Sequence, residues 1–424
     1  MLNQLSAMRT LARKRFDGLM DIYRKHGPVF TLGRYVYLLG PEANRFVITN
    51  PDLFRWSEAF ELLKPVVGDT SLIVSDGDDH KRRRALVQPA FHHRHVNGYL
   101  EILAGDSDRL VDGWAPAGKL DLYWEFRRAF RRMNVQSLFG ARIGEHADSF
   151  GDQLQPMLEL IDRLPVAVAV HRRLRTPAWR RAMAGKQATD QQILDEITRL
   201  RETGDDDDRV LGTLVKSDLT DVEIRDQVIG LISAGFETTS AAMTWTVHAL
   251  RTNEGAWDTA KAEVDNVLGD RAPTAADLPK LVHLNGVIQE SLRLWPPAPV
   301  SIRVPAEDFT FEGKRIKAGQ QVFYSPYVTH RLGEIWPEPT RFMPERWDTT
   351  NPVYRKPAPH EFLPFGGGPH RCVGSTLATT ELTVMLARLL ARVTIDLEPG
   401  PVVAAGVTSM RPRGGLPAWV TKNA

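Results

Sequence analysis

Phe365-Gly366-Gly367-Gly368-Pro369-His370-Arg371-Cys372-Val373-Gly374 holds the only cysteine of the 424-residue chain. With no second thiol there is no intrachain disulfide, so Cys372 serves either packing or the chemistry of its sulfur. Three consecutive glycines strip a loop of Cβ atoms, which lets a flat, bulky ligand lie against the backbone and lets the chain take φ > 0. The apolar run from Leu377 to Leu390 predicts a long helix. That places Cys372 near a helix N-terminus, where backbone N–H groups and the dipole favour a thiolate. A phosphate-binding loop does not fit, because no Gly-Lys-Ser/Thr follows and the glycines are not spaced Gly-x-Gly-x-x-Gly. A cysteine nucleophile would need a base that the sequence does not locate.

The spacing of Phe365, Gly368, His370, Cys372 and Gly374 resembles the haem-binding loop of the cytochrome P-450 superfamily, the haem-thiolate monooxygenases. The resemblance implies that Cys372 is the axial ligand of the haem iron, that Phe365 shields its sulfur, and that His370 hydrogen-bonds a haem propionate. A thiolate in that position pushes electron density onto iron and favours O–O cleavage.

Composition sets the outer bounds. Lys plus Arg is 54 against Asp plus Glu 52, a formal net charge of +2, so no global basic field argues for nucleic acid. No run of about 18 apolar residues occurs, and the first residues lack a signal-peptide core. The expectation is a cytoplasmic protein without a transmembrane anchor. A basic amphipathic pattern at Leu2, Leu5, Met8 and Leu11 with Arg9, Arg13, Lys14 and Arg15 suits a packed helix, or one that touches a membrane surface.

Val29-Phe30-Thr31-Leu32 and Tyr35-Val36-Tyr37-Leu38-Leu39 predict adjacent strands. Phe54 to Val74 has no clear period and reads as a loop-rich, ligand-facing segment. From Gly77 to Arg84 the pattern is helical, with His80 and Arg84 on one face. The resemblance makes this pair propionate ligands; Lys81, Arg82 and Arg83 are expected to point partly outward. His92, His93 and His95 lack a second ligand set. Residues 98–200 read as successive amphipathic helices broken at Gly140, Pro165 and Pro177, with 165–173 suited to a lid, or to a plain helix-loop-helix. Gly204 to Asp208 reads as a solvated acidic loop, and Gly406 to Pro412 as a turn-rich return toward the ligand.

Thr220-Asp221-Val222-Glu223 is a capping box that opens a helix running to about Ala249. Its interior, Ala234-Gly235-Phe236-Glu237-Thr238-Thr239-Ser240, is odd for a helix: glycine costs ~1 kcal/mol there, and threonine competes for backbone carbonyls. Small side chains at 234 and 235 predict a notch beside a hydroxyl and a carboxyl. The segment resembles the family's oxygen-binding groove, with Glu237 and Thr238 as the catalytic acid and alcohol; Thr239 is the alternative hydroxyl. Glu290 and Arg293, followed by Pro344-Glu345-Arg346, match the family's buried structural network, and Arg303 on a predicted strand resembles another propionate ligand. Two departures are Glu for the commoner Asp at 237 and Trp347 where Phe is frequent.

The expected fold is mainly α with small β-sheets, a single domain over 1–424 with haem b between the Glu237 helix and the Cys372 loop. The expected activity is insertion of one atom of O2 into an apolar organic substrate by a monomer. NAD(P)H-derived electrons would come from a ferredoxin-type donor and its reductase, since the chain has no nicotinamide or flavin motif. A peroxide-driven peroxygenase and a haem-thiolate gas sensor or carrier are the competing readings.

Overall fold

Helix-period patterns dominate the chain, and in the computed structural model helices dominate the fold. It describes residues 2–114, 118–162, 165–205, 209–406 and 409–423. Asp206–Asp208 of the acidic run and Val407–Thr408 of the turn-rich segment lie outside the described residues. The chain divides into two compact units, residues 1–61 with 289–372, and residues 62–288 with 373–424.

The first unit is built on a five-stranded sheet ordered Val29–Leu32, Tyr35–Leu38, Gln321–Tyr324, Ser301–Pro305, Phe54–Arg55. The predicted Val29–Leu38 pair is an antiparallel hairpin, and Tyr35–Leu38 runs parallel to Gln321–Tyr324 with Val36 opposite Val322. Alternation sorts the faces, as a period of two requires. Val36, Leu38, Val322 and Tyr324 join Phe311 and Ile316 in the core, while Tyr37 stacks on Phe323 at 5.2 Å on the other face.

The second unit is organised around the Asp221–Thr252 helix. Its capping box is formed as the sequence predicts, with the Thr220 hydroxyl and the Glu223 carboxylate satisfying each other's backbone N–H. The helix is apolar on several sides, and Ile224, Val228, Ile232, Phe236, Met243, Trp245 and Val247 are all buried. A helix that is apolar all round belongs inside a protein, and the Leu122–Phe139, Pro177–Thr203 and Ser375–Arg392 helices pack against it. Gly140 ends the Leu122–Phe139 helix with φ of 90°, and Pro165 and Pro177 each open a helix. Pro156 lies inside the Ala147–Ile161 helix, a position the sequence reading did not mark. Among the described residues no helix is long and apolar enough to cross a membrane.

Candidate functional site

In the first unit the Cys372 loop is closed by its own backbone: the Cys372 N–H donates to the Phe365 carbonyl at 2.9 Å. Gly366 and Gly368 have φ of 67° and 68°, the left-handed region that only glycine enters without strain. Gly367 serves a different purpose from the one expected. A Cβ there would sit 2.8 Å from Ile48 of the Pro41–Thr49 helix, so its missing side chain admits a protein neighbour. Cys372 itself is exposed.

Trp56 gathers two of the expected haem-binding residues. The His370 ring lies parallel to it with centroids 4.1 Å apart, and the Arg303 guanidinium sits 4.0 Å from its centre. Arg303 is buried and also donates to the Tyr324 hydroxyl at 3.2 Å. Stacking on aromatic faces holds an arginine's planar fork in place. The sequence reading missed Trp56; the aromatic run Phe54 to Phe60 was its only signal.

Support comes from Glu290. Its carboxylate accepts from Arg293 Nε and Nη2, both at 2.8 Å, from Arg346 Nε at 3.3 Å and from the Met343 N–H at 3.0 Å. Trp347, the departure from the family pattern, adds its indole N–H at 3.0 Å. Arg293 donates onward to the His330 carbonyl at 2.7 Å. His330 is fully buried and links this network to the Cys372 loop. Its Nε2 accepts the Leu363 N–H at 2.9 Å, so Nδ1 carries the proton toward the Arg293 carbonyl at 3.1 Å.

His330 gives a pH prediction. Burial first, then the charges of Arg293 and Arg331, hold its pKa well below 6.5 in the folded chain, while the unfolded chain titrates near the ordinary value. As pH falls the unfolded state binds the extra proton first. The stability tied to neutral His330 is therefore complete above about pH 6.5 and is lost below it, by up to ~1.4 kcal/mol per pH unit. Urea unfolding at about pH 7.5 and 5.5 should show a larger loss for wild type than for His330→Gln. Equal losses would contradict this.

In the second unit the threonines of the long helix bond backward. Thr238 Oγ1 donates to the Ala234 carbonyl at 2.9 Å, and Thr239 Oγ1 to the Gly235 carbonyl at 2.8 Å. The expected notch is only half open. Ala234 is exposed in the middle of a mostly buried helix, but the space beside Gly235 is filled by Asn134, whose Oδ1 lies 2.5 Å from where a Cβ would stand. Asn134 Nδ2 also donates to Glu381 at 3.0 Å. Glu381 is completely buried and bonded to Asn134 and Thr239, and burial pushes its carboxyl pKa well up.

Glu237 turns toward the Leu122–Phe139 helix. It accepts the Tyr123 hydroxyl, and its Oε2 lies 2.7 Å from Arg127 Nη2. Burial and the Glu237 charge push the Tyr123 phenol far up, so it stays a donor. These three residues line a cavity of about 140 Å³ with Gln155, Asp162 and Arg411. Tyr123 and Arg127 were not singled out from sequence, although their i, i+4 spacing marks one helix face.

The Gly77–Val87 helix forms as predicted. His80 is buried, and burial followed by the Arg84 charge keeps its pKa below the usual value. Arg84 is half-buried and donates to Gln88 at 3.2 Å. Arg83 corrects the expectation: it points inward, buried, bonded to Ser75 at 3.0 Å and Glu223 at 3.2 Å. Lys81 and Arg82 are exposed and paired with Asp78 and Asp218.

These residues fit a haem. An exposed sulfur on a hydrogen-bonded turn suits an axial ligand, and Arg303 and His370, gathered by one indole, suit carboxylate groups.

Comparison with known proteins agrees. The Cytochrome P450 family model matches residues 2–404. A Mycobacterium tuberculosis protein described as "Putative cytochrome P450 139" is 48% identical over 421 residues, 96% of this chain and 98% of its own length. The cyclooctat-9-en-7-ol 5-monooxygenase of Streptomyces melanosporofaciens is 33% identical over 89% of this chain and 83% of its own. The structure of retinoic acid bound cyanobacterial CYP120A1 superposes with a TM-score of 0.86 at 24% identity, over 95% of this chain and 93% of that one, and shows the same fold. With the family model spanning nearly the whole sequence and full-length relatives alongside it, the chain belongs to the cytochrome P450 family of haem-iron monooxygenases.

Proposed function

We propose that residues 1–424 act as one haem b monooxygenase, a cytoplasmic monomer that hydroxylates or epoxidises an apolar, cyclic organic substrate. Electrons come from NAD(P)H through a ferredoxin-type donor and its reductase. The name of the Streptomyces relative, a cyclooctat-9-en-7-ol monooxygenase, supports the substrate class. When bound, haem supplies the iron at which dioxygen is reduced and one oxygen atom is passed to the substrate. Cys372 would hold the iron, Phe365 would shield the sulfur, and His80, Arg84, Arg303 and His370 would hold the propionates. Of the basic residues near His80, Lys81, Arg82 and Arg94 remain exposed and contribute to the donor's docking face.

The observation that carries the monooxygenase reading is the pair Glu237–Thr238. Glu237 lines a cavity and is held by a phenol and a guanidinium, while Thr238 follows it beside the exposed Ala234. Glu237 takes protons from the cavity and Thr238 passes them on, a general-acid relay worth roughly 10²–10⁴ in rate. A peroxygenase or a gas carrier needs no such pair.

Thr238→Ala should bind haem and substrate as wild type does and consume NADPH with a ferredoxin and its reductase. Oxygenated product per NADPH should fall at least about ten-fold, with hydrogen peroxide released instead. Full coupling in Thr238→Ala, with peroxide leaking from Thr239→Ala, would move the role to Thr239. No leak in either would remove the relay, and wild-type turnover on peroxide alone would favour the peroxygenase.

A further inference from the structure

Residues 163–189 contain six arginines and one lysine and no Asp or Glu, in a chain whose formal net charge is +2. Lys186 is buried and paired with Asp190, and Arg163 lies outside the described residues. The other five, Arg172, Arg173, Arg175, Arg180 and Arg181, are all exposed. Elsewhere, exposed arginines such as Arg45, Arg128, Arg142 and Arg315 lie against carboxylates. None of these five does among the described residues.

The same corner carries the chain's most exposed large apolar side chain among the described residues, Leu174, at 68%, with Val170 at 49%. Leu174 is held outward by an ordered turn. Its N–H bonds the Val170 carbonyl at 3.0 Å, Arg175 takes φ of 44°, and the His171 ring meets the Thr176 hydroxyl at 2.8 Å. Thr176 then caps the Pro177–Thr203 helix. A face made only for water would need neither Leu174 nor Val170 uncovered.

We propose that Ala169–Arg181 is a docking corner for an anionic lipid surface. The guanidinium forks match lipid phosphates bidentately, and the two aliphatic side chains enter the boundary between headgroups and acyl chains, as an interfacial helix does. A purely acidic surface would engage the arginines but leave Leu174 and Val170 in water, whereas the headgroup–acyl boundary takes up both. The inference rests on this surface alone and is independent of the oxygen chemistry.

The test is co-sedimentation of the haem-loaded full chain with vesicles of phosphatidylglycerol and phosphatidylcholine, against phosphatidylcholine alone. Wild type should pellet with the anionic vesicles only. Each arginine near such a surface contributes about a five-fold gain, so the double variant Arg172→Glu, Arg173→Glu should weaken partitioning at least about 25-fold. Leu174→Asp should weaken it about ten-fold or more, and Arg315→Glu should leave it unchanged. Wild type remaining in the supernatant, equal binding to both vesicle types, or binding insensitive to these corner variants would overturn the proposal. So would binding to immobilised polyglutamate that matches vesicle binding and survives Leu174→Asp, which would assign the corner to an acidic protein.

Discussion

Glu290→Ala is expected to give little or no soluble, haem-loaded protein. The carboxylate and its partner Arg293 are completely buried, and five donors converge on it: two from Arg293 and one each from Arg346, Met343 and Trp347. Removing the acid leaves the Arg293 charge buried without its counter-ion, at a cost of ~3–5 kcal/mol. The Trp347 indole and the Met343 N–H lose their acceptor as well, each worth ~1–3 kcal/mol when left unpaired. Set against a total stability of about 5–15 kcal/mol, the sum reaches much of what the fold has. Glu290→Gln keeps the volume and one acceptor oxygen and should recover part of the yield. The measurement is soluble yield and haem absorbance per protein. Well-folded Glu290→Ala with normal haem content and no turnover would show a role in the chemistry instead.

The features legible in the sequence were those written locally. The capping box at Thr220–Glu223, the prolines that open helices at 165 and 177, and the Val29–Leu38 hairpin all depend on neighbours in the chain, and each forms where expected. The Glu290, Arg293 and Arg346 network was legible through the family resemblance, and the structure adds Trp347 as a donor that compensates for its departure from the pattern. What a missing Cβ admits is a tertiary fact. Gly367 and Gly235 both read as room for a ligand, and both spaces are taken by protein atoms, Ile48 and Asn134. Trp56 meets His370 and Arg303 across more than 240 residues of chain, and no local period announces such a contact. Arg83 was within reach: 80, 83, 84 and 87 are spaced as one helix face, and counting that face would have turned it inward beside His80.

Cys372 carries the heaviest expectation. It is the only thiol in the chain and is exposed on a loop closed by its own N–H. Only a thiolate pushes enough electron density onto the iron to give the family's spectral signature and favour O–O cleavage. On the proposed assignment an alanine there would remove the ligand, and a histidine would replace it with a neutral nitrogen. Turnover should vanish in both. The direct measurement is the absorption spectrum of the reduced, carbon monoxide-treated protein. Wild type should show the strongly red-shifted Soret band of a thiolate-ligated haem, and Cys372→Ala and Cys372→His should lack it while Glu237 and Thr238 variants keep it. A Cys372 variant that retains that band, or wild-type protein that loads haem and never shows it, would contradict the assignment.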